Sequence, residues 1–335
     1  MAFGLARCSP GDGCLTTAAS PSRTNASAAF AFTSRIPASR IPHPHLDAVD
    51  RACSHPGPLM PSAFPSSPSS PSRRTALVTG ATSGIGWETA RLLAEQGCHV
   101  VVHAPDMASG EEAITRLVAT GITPDRLDLA IADFSRLGEV RAMAQSVARH
   151  HPAVDVLVNN AAVAAPERHT ITADGVELSF QVNFLAAYVL TRALTGPLTA
   201  RPGSRVVNVS SSMHRTASIA WNDVNRTRRY SQLAAYAQSQ LALTVFARAK
   251  APQGCTVVSM NPGICETSLL PLYAHEGDDP AEGAARVVRL CDPATDVKPG
   301  AYYDRTALSP AAPVATEDRT VRRLVKLADV LANAA

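Results

Sequence analysis

Residues 75–86 read Thr-Ala-Leu-Val-Thr-Gly-Ala-Thr-Ser-Gly-Ile-Gly, a short apolar run that enters a glycine-rich turn. The glycines fall at Gly80, Gly84 and Gly86, a G-x-x-x-G-x-G spacing rather than the more familiar G-x-G-x-x-G. Glycine lets the backbone fold tightly and lets a pyrophosphate approach without meeting a Cβ. The stretch from Trp87 to Gly97 places alanine and leucine at helical spacing, so the free N–H groups of its first turn would face the phosphate charge. Nucleotide binding is the chemistry this order of strand, turn and helix serves. Further on, Tyr236 and Gln240 stand four residues apart, which sets a phenol and an amide on one helix face.

Elements that could position these groups follow in regular alternation. Cys98–His103 reads as a second buried strand, 108–120 as a helix, Leu127–Asp133 as a third strand and 136–150 as another helix. Val154–Ala161 is a fourth strand, Val176–Ala193 a long helix, and Arg205–Ser210 a fifth strand. Tyr236–Lys250 reads as helical, Cys255–Met260 as a sixth strand and Ala301–Tyr303 as a short last one. Val321, Leu324, Val325 and Ala328 mark a C-terminal amphipathic helix. Near-continuously apolar strands alternating with helices imply an α/β fold: a single Rossmann-type, doubly wound parallel sheet of about seven strands with helices on both faces.

The composition divides the chain. Residues 1–73 hold 11 of the 25 prolines and no lysine, with little periodic apolar spacing, so a disordered Pro/Ser/Ala-rich extension is expected there. It reads either as a transit-like segment or as a start assigned too early, since Met60 stands just ahead of the fold. Residues 74–335 are then one dinucleotide-binding and catalytic domain. The net charge is +3 with dispersed basic residues, so no nucleic-acid partner is expected. No apolar run is long enough for a membrane span. The seven cysteines lack C-x-x-C spacing, and buried free thiols are expected rather than a disulfide or a metal site.

From Arg74 onward the chain resembles a short-chain dehydrogenase/reductase, nearest to the branch of retinol dehydrogenases. Val207-Asn-Val-Ser-Ser211, a long insert before the tyrosine, and Gly300-Ala-Tyr-Tyr-Asp304 carry that likeness. The resemblance implies an NAD(P)-dependent oxidoreductase that interconverts a carbonyl and an alcohol. Its phosphate loop corresponds to Gly80, Thr82, Ser83, Gly84, Ile85 and Gly86. Asp133 and Phe134 fall where the family contacts adenine, and Asn160 and Ala161 belong to a segment like N-N-A-G whose last glycine is Ala162 here. Pro262, Gly263 and Thr267 match the segment that borders the nicotinamide. Tyr236 is implied as the proton donor or acceptor, Ser211 as the holder of the substrate oxygen, and Asn183 as the residue that holds a relay water.

One position departs from the family. Y-x-x-x-K carries a lysine that bonds the nicotinamide ribose and lowers the tyrosine pKa, whereas Gln240 stands there. An amide both donates and accepts hydrogen bonds, so it keeps the first task and loses the second. A free tyrosine titrates near ~10, and a neighbouring cation commonly moves a pKa by about 1 to 3 units. Alcohol oxidation should suffer more than carbonyl reduction. Arg228 and Arg229, in the insert, are the cations that could fold over the site.

At the end of the second strand, His103-Ala-Pro-Asp106 gives no clear cofactor signal, and the branch resemblance favours NADP(H) over NAD(H). His103 could assist a phosphate or pack under the sheet, and packing is expected. The substrate is a small or lipophilic carbonyl or alcohol bound over residues 212–235 and the loop 264–285. A cytoplasmic location is expected, or a plastid or other organelle if residues 1–73 are a transit peptide, and a homo-oligomer is compatible with the sequence. The competing expectation is a dinucleotide-binding pseudoenzyme that acts as a sensor or partner subunit.

Overall fold

A computed structural model describes residues 73–273 and 276–334. Apart from Arg73, the stretch expected to be disordered lies outside the described residues. The strands are β1 (Thr75–Val78), β2 (His99–Ala104), β3 (Leu127–Ile131), β4 (Val156–Asn159), β5 (Arg205–Val209), β6 (Thr256–Asn261), β7 (Tyr302–Asp304) and β8 (Ala307–Ser309). The helices are α1 (Gly84–Glu95), α2 (Met107–Ala119), α3 (Leu137–His150), α4 (Leu178–Phe180), α5 (Ala186–Ala193), α6 (Thr195–Thr199), α7 (Gln232–Phe246), α8 (Pro280–Cys291) and α9 (Asp318–Ala334).

The strands form one sheet in the order β3-β2-β1-β4-β5-β6-β7-β8. Every pairing is parallel except that of β7 with β8. Successive β1 side chains point to opposite faces, and both faces are covered. Leu77 joins Val101, Leu157, Val206 and Val257 in a core shared with α3, α5, α7 and α9. Ala76 and Val78 join Val100, Val102, Val158 and Val258 in a second core shared with α1, α2 and α8. This is the doubly wound α/β sheet the sequence implies. The chain leaves β1 toward β2 on one side and reaches β4 on the other, and that reversal opens a crevice beyond the carboxyl ends of the strands.

Three differences from the sequence expectation have local causes. The helix over 176–193 is interrupted by a π-helical turn at Gln181–Leu185, between α4 and α5. Its residues are all buried, so apolar periodicity gives no sign of the wider turn. The segment read as loop to residue 285 becomes α8 at Pro280, where Asp279 accepts a hydrogen bond from the Ala281 N–H at 2.8 Å. Aspartate before a proline at the first helical position is a start signal, and Val287, Val288 and Leu290 then pack on the core. Finally, α7 begins at Gln232 because the Ser231 hydroxyl accepts from the Ala234 N–H, so Tyr236 lies in the second turn and not the first.

Candidate active site

The glycine turn after β1 is held by residues that directly follow β4 and by Thr267 in the loop after β6. Gly80 takes φ +62°, and a Cβ there would lie 2.8 Å from the Ala161 Cα. On Gly86 a Cβ would meet the Gly80 carbonyl oxygen at 2.2 Å and Asn160 Nδ2 at 2.4 Å. Close approach therefore requires glycine at both places, and at Gly80 the left-handed backbone conformation requires it as well. Asn160 donates from Nδ2 to the carbonyls of Thr79 and Gly80, and the Thr79 hydroxyl accepts from the N–H groups of Asn160 and Ala161. Gly84, at φ +53°, faces the Thr267 methyl group at 3.0 Å from its would-be Cβ.

His103 pins the turn from below. Its Nδ1 accepts the Gly80 N–H at 2.9 Å, and Nε2 lies 3.0 Å from the Ala132 carbonyl, which fixes the neutral tautomer with the proton on Nε2. The ring stacks on Phe134 at 4.2 Å. Burial pushes its pKa down to about 4, against a smaller upward pull from the Ala132 carbonyl. His103 packs under the sheet, as expected, and also shapes the phosphate turn, which periodicity could not show.

These groups line one cleft of about 450 Å³ together with Asp133, Phe134, Ala161, Ala162, Tyr236, Gln240, Pro262, Gly263, Thr267 and Tyr273. The Asp133 carboxylate is braced by Ser135, from its N–H at 2.8 Å and its hydroxyl at 2.7 Å. Behind the Pro262-Gly263 turn and outside the cleft lining, Arg286 holds the Pro262 carbonyl at 2.7 Å and Asp278 at 2.9 Å, clamping that turn. Among the described residues, positive φ outside glycine occurs only at Arg226 and Arg305. Ala162 therefore replaces a glycine without the strain a left-handed position would bring.

Tyr236 is 3% exposed and Ser211 2%. The Tyr236 hydroxyl meets those of Tyr273 and Ser211, and Ser211 Oγ lies 2.8 Å from the Tyr273 hydroxyl. Burial raises the Tyr236 pKa well above its ordinary value; the Tyr273 charge and hydrogen bond add to this, and the Ser211 hydrogen bond opposes it. Gln240 is fully buried one turn on, and its Nε2 has no hydrogen-bond partner among the described residues. No lysine or arginine lines the cleft among the described residues. Arg228 and Arg229 are exposed and outside that lining, so neither replaces the missing lysine.

Asn183 lies in the π-helical turn, close to the others but differently engaged. Its Oδ1 accepts from the Val163 N–H at 2.8 Å, while Nδ2 donates to the Val163 carbonyl at 3.1 Å and to Ser239 Oγ at 2.9 Å. The side chain ties the β4 loop to α7, and both of its N–H donors are engaged in that task.

Gln240 Nε2, unsatisfied beside a glycine cradle that admits no Cβ, fits a ligand bearing hydroxyl acceptors and a pyrophosphate. The residues present therefore suit a nicotinamide dinucleotide. Thr79 and Tyr273 are site residues that motif spacing did not single out for these roles. Thr79 stands in the turn itself, whereas Tyr273 belongs to the loop expected to cover the substrate, and only its bond to Ser211 has no local signal.

The short chain dehydrogenase family matches residues 74–276, and the chain belongs to that family. Members of it carry out NAD(P)-dependent oxidoreduction between carbonyls and alcohols. The chain is 32% identical over 286 residues to retinol dehydrogenase 14 of Mus musculus, covering 77% of this chain and 85% of that one. To polyprenol dehydrogenase of Mus musculus it is 38% identical over 231 residues, 66% of each chain. A solved structure of an uncharacterised protein from Mycobacterium paratuberculosis superposes with a TM-score of 0.63 at 29% identity, covering 78% of this chain and 93% of that one.

These relatives correct the expected location. They are named for retinol and polyprenol, water-insoluble isoprenoid alcohols that dissolve in membranes, which argues against a protein confined to the cytoplasm. Among the described residues, no helix is long and apolar enough to cross a membrane.

Proposed function

We propose that this chain is a reductase of lipophilic carbonyl compounds that uses NADPH. The supporting observation is Tyr236, buried without a cation and with the neutral Gln240 in the lysine position. A phenol so placed stays protonated at neutral pH, and a protonated phenol can donate but cannot act as a base. A reduced nicotinamide, when bound, supplies the hydride. Ser211 Oγ and the Tyr236 hydroxyl hold the carbonyl oxygen, and Tyr236 releases its proton to that oxygen as the alcohol forms. Tyr273 must then yield its place beside Ser211 to the substrate. Val163, Leu178, Val182 and Leu269 give the cleft an apolar wall.

The preference for NADPH is supported by Arg116. Its guanidinium donates to the Thr82 carbonyl and stacks over Trp87 at 5.2 Å, which brings a cation to the phosphate turn. Asp106, the acid near the end of β2, is engaged as the cap of α2 and accepts from the Ser109 N–H at 2.9 Å.

A second reading is favoured by the Tyr273–Ser211 hydrogen bond, which fills the position a carbonyl needs: a dinucleotide-binding protein without turnover. Purified full-length chain assayed with isoprenoid aldehydes and alcohols, in both directions and with both cofactors, separates the two. Reduction that outpaces oxidation at neutral pH and vanishes in Tyr236→Phe is expected. Cofactor binding with no turnover in either direction would leave the second reading standing.

A further inference from the structure

His99, Asp128 and His151 converge at the end of the sheet opposite the cleft. His99 opens β2, Asp128 lies near the start of β3, and His151 directly follows α3. Asp128 Oδ2 is 2.8 Å from His99 Nε2 and 3.2 Å from His151 Nε2. The three ligand atoms lie within 4.8 Å of one another, and the two imidazole rings are 5.3 Å apart. His151 is buried, whereas His99 and Asp128 keep about a fifth of their side chains open to solvent.

We propose that His99, Asp128 and His151 form a binding site for a divalent transition-metal ion of the zinc class. Two imidazole nitrogens and one carboxylate oxygen are the donor set that suits zinc and disfavours magnesium or calcium, which take oxygen ligands. Zinc bonds of about 2.0–2.1 Å at tetrahedral angles set ligand atoms roughly 3.3 Å apart. The observed 2.8 Å and 3.2 Å need to open by about half an ångström or less, and the two imidazole nitrogens, within 4.8 Å of each other, need to settle at the same spacing, adjustments that side-chain rotation supplies. One carboxylate charge balances half that of the ion, and the partial exposure leaves a fourth position for water.

The three residues come from three elements, and β3 is the edge strand of the sheet. A bound ion would clip that edge to β2 and to the end of α3, so its effect is on stability and not on the cleft. The ordinary alternative is a hydrogen-bonded His–Asp–His brace with no ion. The two differ in a measurable way, because a brace gains nothing from added metal. Cys98, next to His99, is buried in the core on the α1 side and takes no part.

The test is calorimetric titration of the metal-stripped full-length chain with zinc chloride against a competing chelator, together with thermal melting with and without zinc. Saturable binding of a single ion per chain and a raised Tm are expected. His99→Gln and Asp128→Asn, each confirmed as folded by circular dichroism, should weaken binding by at least ~100-fold, the top of the range for losing a ligand's support. If one variant does not fold, the other carries the comparison. Absence of saturable zinc binding, or unchanged affinity in the folded variants, overturns the proposal.

Discussion

The Gln240 side chain lies one turn beyond Tyr236 on α7, with its Nε2 unpartnered among the described residues. Its backbone carbonyl is occupied, accepting from Ser210 Oγ at 3.0 Å and Thr244 Oγ1 at 2.9 Å. A buried amide donor left unsatisfied costs about 1–3 kcal/mol, a cost relieved when an acceptor such as a ribose hydroxyl arrives. The same amide leaves Tyr236 with no cation to draw its proton away. Binding and proton transfer, joined in a lysine, are thereby separated in this chain.

Gln240→Lys restores the charge. The ascending limb of the pH profile for alcohol oxidation, set by deprotonation of Tyr236, should move down by about 1 to 3 pH units. Oxidation at neutral pH should rise toward the roughly 10²-fold that a competent general base contributes, while reduction changes less. Profiles of kcat/KM for both directions measure this, and a flat response would show that Gln240 does not limit the site.

Tyr273→Phe removes a hydroxyl that raises the Tyr236 pKa through both charge and hydrogen bonding. The Tyr236 limb should shift downward, by less than in Gln240→Lys, and Ser211 Oγ loses a partner that competes with substrate. A fall in KM for the carbonyl is the accompanying expectation. Tyr236→Phe, in contrast, should lower turnover by about 10²–10⁴-fold and leave cofactor affinity unchanged.

How much of this site is legible in the sequence depends on whether a residue acts locally. Gly80, Gly84 and Gly86 can be read because turn, strand and helix are contiguous, and the contacts at 2.2–2.8 Å explain why glycine stands at two of them. Tyr236 and Gln240 can be read because helical spacing alone puts them together. Tyr273 cannot, since it reaches Ser211 across 62 residues through a loop without periodicity. Asn183 is legible as a position but not in its task, because a π-helical turn and the partners Val163 and Ser239 are tertiary facts. The antiparallel β8 is missed for a similar reason: three residues, two of them exposed, carry no pattern.

Gly86→Ala tests the cradle. Its Cβ would meet the backbone oxygen of Gly80, which cannot swing aside as a flexible side chain can. Overpacking of this kind costs about 1–3 kcal/mol or displaces the turn. Dinucleotide binding, followed by fluorescence, should fall sharply even where thermal melting shows a folded chain.

Arg116→Ala tests the cofactor preference. A charged hydrogen bond contributes about 1.5–3 kcal/mol, so affinity for NADPH should drop by roughly 10-fold or more. Affinity for NADH should change little, since it lacks the 2′-phosphate. Equal losses for both cofactors would mean that Arg116 merely braces Thr82.

His103 makes the turn sensitive to acid. Its pKa is about 4 in the folded chain against 6.5 for the ordinary side chain, so between those values the unfolded chain holds more protons. Stability therefore rises with pH through this window and is lost as pH falls from about 6.5 toward 4, by up to about 3 kcal/mol. Protonation would also put a proton on Nδ1, which now accepts from the Gly80 N–H, so the phosphate turn loosens as the fold weakens. In His103→Gln the amide can accept from Gly80 and donate to the Ala132 carbonyl without titrating. The buried His214, whose pKa burial also lowers, contributes equally to both proteins and cancels in the comparison. Denaturant unfolding between pH 4 and 7 should show a shallower slope for the variant, and the same slope in both would remove His103 from the acid response.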